Sequence, residues 1–62
     1  MGKWKNKNLN IAESKLNLYL NDFGDEKPHR YNALVYLMMT GVKWSDAIVV
    51  IADAYVEGRL LE

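Results

Sequence analysis

The chain contains no cysteine and a single histidine, His29, in 62 residues. A domain this short hides only about 60% of the surface its open chain exposes, so apolar burial and the entropy of ordering roughly cancel. Small domains usually escape that balance through disulfides, a structural metal or a partner subunit. The first two routes lack their ligands here, which leaves tight helical packing or self-association. With 50% hydrophobic and 26% charged residues the composition is that of a globular chain, long enough for one core and no more.

Apolar periodicity predicts an all-α, single small three-helix domain over residues 10–62, preceded by a basic tail at 1–9. Asn10 and Glu13 have the spacing of a capping box, and Leu9, Ala12, Leu16, Tyr19, Leu20 and Phe23 recur on one helical face before Gly24. That places the first helix at about 10–23. Pro28 in a first turn, an arc of Tyr31, Leu34, Val35, Leu37 and Met38, and a stop at Gly41 place the second at about 27–40. Trp44, Ala47, Ile48, Ile51 and Tyr55 follow at offsets of three and four, giving a third helix over 44–57 or beyond. The β-branched run Ile48 to Ile51 and the Glu57-Gly58 pair also admit a terminal hairpin, but alanines at 47, 52 and 54 weigh against it. The expected core is Leu16, Tyr19, Phe23, Leu34, Val35, Met38, Ile48, Ile51 and Tyr55.

The inventory for chemistry is thin, and the chain is expected not to be an enzyme, with no catalytic, cofactor-binding or metal-binding residues. His29 has no second histidine or cysteine with which to share a metal, and it stands where a surface or capping histidine belongs. Asp22, Asp25 and Glu26 lack the alternating ligands of a calcium loop, and the four glycines form no phosphate-binding loop. No apolar run approaches a membrane span, and the polar start does not read as a secretory leader, so a cytoplasmic location with no membrane is expected.

Eight basic and eight acidic residues cancel. Lys3, Trp4, Lys5 and Lys7 form a cationic tail that could touch nucleic acid, and residues 33–58 have the outline of a helix-turn-helix. The third helix, however, carries Asp46, Asp53 and Glu57 where a DNA reader needs bases, so nucleic acid is the alternative and not the leading partner. With Trp44, Ile48, Ile51 and Tyr55 turned inward, Val49, Ala52, Val56 and Leu60 would form a second apolar seam, expected to make a homodimer. His29, Asn32, Tyr36, Met39 and Thr40, opposite the core arc of the second helix, are the expected contact for another protein; Ile11 and Leu18 form a smaller exposed pair. The function expected is a self-associating helical interaction module that binds or inhibits another protein. Its brevity and its many asparagines and lysines suit a bacterial or phage accessory protein.

Overall fold

A computed structural model describes residues 3–61; Met1 and Gly2 of the expected tail, and Glu62, lie outside the described residues. Three helices account for the architecture: α1 (Lys7–Phe23), α2 (Arg30–Met39) and α3 (Trp44–Val56), each packed against the other two. The Ile48 to Ile51 run lies within α3, so the terminal hairpin does not form. The isolated bridge between His29 and Leu61 supplies a short extended contact.

Two of the helices begin elsewhere than the sequence pattern indicates. Asn6, not Asn10, caps α1, its side chain accepting from the Asn8 N–H at 2.8 Å. Asn10 has a different task. Its amide accepts from the Trp4 N–H at 2.8 Å and donates to the Trp4 carbonyl at 2.6 Å, pinning the chain before α1 against the helix. α2 starts at Arg30, with the His29 Nδ1 accepting from the Tyr31 N–H at 3.1 Å, so histidine is the cap and Pro28 stands outside the helix. Pro28 is buried there, and its carbonyl accepts from the Leu61 N–H at 2.9 Å.

Two of the stops obey one rule. After α2 the Gly41 N–H reaches the Met38 carbonyl and the Val42 N–H reaches that of Leu37, at 3.1 and 3.0 Å. After α3 the Gly58 and Arg59 N–H groups repeat the pattern on Tyr55 and Ala54, at 3.0 and 2.9 Å. Both are Schellman motifs, which need a left-handed residue after the cap; Gly41 and Gly58 have φ of 94° and 80°. α3 therefore ends at Val56 rather than continuing, and the turn aims Arg59 back across the bundle.

Packing differs from expectation in a consistent way. The buried core is Ala12, Leu16, Ala33, Leu37, Ala47, Val50, Ile51, Ala54 and Leu60. Four of these nine are alanine, so the helices meet on methyl groups and the interior has little width for larger side chains. Leu16 and Ile51 are buried as expected, whereas Tyr19, Leu34 and Ile48 are half-buried, and Phe23, Val35, Met38 and Tyr55 are exposed. On α3 the inward stripe is Ala47, Val50, Ile51 and Ala54, rotated by roughly 80° from the expected Trp44, Ile48, Ile51, Tyr55 stripe at about 100° per residue. Helical spacing alone favours the stripe with the large residues; in the structure Val50 and Ala54 join Ala47 and Ile51 inside in place of Trp44, Ile48 and Tyr55.

Tyr19 and Tyr36 stack at 4.5 Å between ring centroids and tie α1 to α2, with Phe23 edge-on to Tyr19 at 5.1 Å. These core assignments separate experimentally. Leu37→Ala should cost roughly 2–5 kcal/mol, enough to unfold much of a domain this small, whereas Phe23→Ala should cost only about 1 kcal/mol. Urea titration followed by circular dichroism reads both.

Candidate functional site

The rotation of α3 decides which of its residues face solvent. Its charges, Asp46, Asp53 and Glu57, all fall on one flank, and the remaining outer arc is Trp44, Ser45, Val49, Ala52, Tyr55 and Val56, with no formal charge. Val56 is 84% exposed and Trp44 60%. On α2, Tyr31, Val35 and Met38 recur at offsets of four and three and are 65%, 52% and 45% exposed. The Arg30 guanidinium lies over both the Tyr31 ring (5.7 Å) and the Tyr55 ring (5.2 Å), so this α2 stripe adjoins the α3 arc. The result is one largely apolar face over α2 and α3, with the Arg30 guanidinium bridging its two parts. His29 stacks on the far side of Tyr31 at 5.3 Å and closes that edge.

The opposite flank of α3 is a polar clasp. Lys3 pairs with Asp53 and, at 3.1 Å, with Glu57. Arg59 donates to Glu13 at 2.9 Å, to Asn17 at 2.7 Å and to Glu57 at 3.0 Å. Glu13 is buried, and the Trp4 indole N–H donates to its other oxygen at 3.4 Å. Burial works against the charged Arg59 guanidinium, but the hydrogen bond and charge of Glu13, followed by Glu57, outweigh it and leave its pKa raised. The hydrogen bonds from Lys3 to Asp53 and then Glu57 raise the lysine above its ordinary 10.5. The lysine therefore stays charged at neutral pH, and its part in the tether is lost as pH climbs beyond the usual lysine range.

Of the expected self-association residues, Val49, Ala52 and Val56 lie together on the exposed arc. Leu60 does not join them, because the turn at Gly58 folds it into the core at 3% exposure. The expected partner contact is divided. Asn32 and Met39 are exposed, but His29 caps α2, Tyr36 stacks on Tyr19, and the Thr40 hydroxyl donates to the Leu37 carbonyl while Lys15 donates to the Thr40 carbonyl. In the tail, Lys3 is engaged by two carboxylates and Trp4 is half-buried against the core, leaving Lys5 and Lys7 exposed. Ile11 and Leu18 are exposed, with Ile11 beside Lys15, Val42 and Lys43 in a shallow groove.

Sequence reading missed Trp44, Tyr55, Val35, Met38 and Tyr31 as surface residues. The available signal was the alanine pair at 47 and 54 on the face opposite Val49 and Val56, together with the confinement of all three α3 acids to one flank. Among the described residues no cluster of three or more potential metal ligands occurs, and no helix is long and apolar enough to cross a membrane. Searches for related proteins found no matching family model, curated protein or solved structure.

Arg59→Met would strip the buried Glu13 of its cation. Because Arg59 is about one-third exposed, the expected loss is roughly 1–3 kcal/mol, below the 3–5 typical of a fully buried pair. Thermal melting near pH 7 measures it.

Proposed function

We propose that this chain is a helical protein-interaction module whose working surface is the largely apolar α2–α3 face. The observation that carries the reading is the exchange between interior and surface: alanines fill the helix contacts while Trp44, Tyr55, Val56, Tyr31, Val35 and Met38 face solvent. Taken with Val49 and Ala52, their exposed fractions amount to roughly 800 Å² of residue surface. Large apolar and aromatic residues exposed side by side on two helices favour a surface that another protein covers.

The composition of the face supports the same reading. Aromatic residues, Met and Arg are enriched at the centres of protein interfaces, and Lys, Glu and Asp are depleted there. Tyr31, Tyr55, Trp44, Met38 and Arg30 match that pattern, and the acids and most lysines of the chain lie elsewhere. Tyrosine and tryptophan bury a large area for little loss of side-chain entropy, which suits them as anchors. The partner contact accordingly moves from the expected Tyr36 surface to the neighbouring α2 stripe, with Asn32 and Met39 at its margin.

A photo-reactive residue placed at Val56 or Val35, in cells that make the protein, should form adducts with a protein, whether a foreign one or another copy. The same residue at Asn21, exposed on α1, is the control. Adducts no more abundant from the face than from Asn21 would defeat the proposal.

A further inference from the structure

We infer that the occupant of the α2–α3 face is a second copy of this chain, set antiparallel across a two-fold axis at Ala52. This rests on reading the face as a docking surface. The area is the first argument. A standard interface takes about 800 Å² from each partner, and the exposed face offers roughly that amount. A dimer also relieves the balance that a domain of 62 residues, with no cysteine, otherwise faces alone.

Charge selects the occupant. An acidic segment would call for several basic residues across the face and a basic segment for acids, yet the α3 arc carries neither and Arg30, held over the Tyr31 and Tyr55 rings, is a lone cation there. A lipid surface favours lysines along the apolar margin. Lys3 and Lys15 are instead engaged on the other side of α3 or at the end of α2. The uncharged α3 arc is complementary to itself, because a two-fold contact centred on it sets apolar side chains against apolar side chains.

The register follows from side-chain size. Ala52 is the small residue in the middle of the exposed arc, flanked by Val49 on one side and Tyr55 and Val56 on the other. Two helices crossing at Ala52 can approach closely, and an antiparallel arrangement then packs Val56 of one copy against Ile48 and Val49 of the second. Antiparallel α3 helices also align opposite ends of their dipoles. Asp46, Asp53 and Glu57 lie on the flank beside the arc, where Lys3 already engages Asp53 and Glu57, so the acids border the contact rather than occupy its centre.

The absence of native cysteine makes the test direct. Under mild oxidation Ala52→Cys should form a disulfide-linked dimer, while Asn21→Cys should not. An equimolar mixture of Val49→Cys and Val56→Cys chains should yield the mixed disulfide in excess over the Val49 pair. Sedimentation of the unaltered chain at micromolar concentration should show a dimer, and Val56→Asp should weaken it by at least about 100-fold with helical content retained, because Val56 is 84% exposed within one chain. A chain that stays monomeric, no excess of Ala52 over Asn21 disulfide, or preferential pairing of Val49 with itself would each overturn the inference. A monomeric chain whose Val56 crosslinker still captures a foreign protein would remove the second copy and leave the docking face standing. A monomeric chain with no face-specific adduct would remove both.

Discussion

The close approach of three helices on alanine governs the rest of this structure. Ala12, Ala33, Ala47 and Ala54 are fully buried, and around them the interior accepts only Leu16, Leu37, Val50, Ile51 and Leu60. A narrow interior of this kind packs well, since small residues bring backbones together and dispersion contacts multiply at short range. It also has no space for the aromatic rings. Tyr19 and Tyr36 find each other between α1 and α2, while Trp44, Tyr31 and Tyr55 are left on the outside. The exposed face is thus a direct consequence of how the core is filled.

A narrow core needs reinforcement at its edges, and both ends of the described chain supply it. Before α1, Lys3 and Trp4 run back along the bundle, held by the reciprocal hydrogen bonds of Asn10 and by the carboxylates of Asp53 and Glu57. After α3, the Gly58 turn delivers Leu60 to the core and Arg59 to Glu13, and Leu61 bonds to Pro28. Glu13 joins the two ends, because one oxygen faces Trp4 and the other faces Arg59. A buried carboxylate without those donors would be destabilising; with both present it links segments far apart in sequence. The two acids that could have faced a ligand are occupied in the same network, so α3 presents charge on one flank and none on the other.

That asymmetry links fold to proposed role. A helix with Asp53 and Glu57 of one flank paired internally and the other flank apolar and open has a single apolar surface to offer, and its residue types are those that anchor protein interfaces. The lysines once grouped as a tail serve different ends: Lys3 closes the clasp, while Lys5 and Lys7 remain in solvent. The helix-turn-helix outline survives as α2, the Gly41 turn and α3, but the outer arc of α3 offers no base to meet phosphate.

The sequence by itself determined the all-α class, the number and order of helices, and where the first two stop. Apolar spacing and glycine's tolerance of positive φ are local properties, readable without knowing what lies alongside. Asn6 as the cap of α1, and the rotation of α3, were decided only by tertiary structure. Asn6 and Asn10 are equally able to cap a helix, and the choice between them depended on Trp4 requiring a partner for its backbone. On α3, apolar residues occupy most of the circumference, so several faces compete for the interior and periodicity alone cannot rank them. The face bearing Ala47 and Ala54 turned inward because it lets α1 and α2 approach at methyl-group distance, a gain that exists only when the neighbouring helices bring Ala12 and Ala33 to meet it.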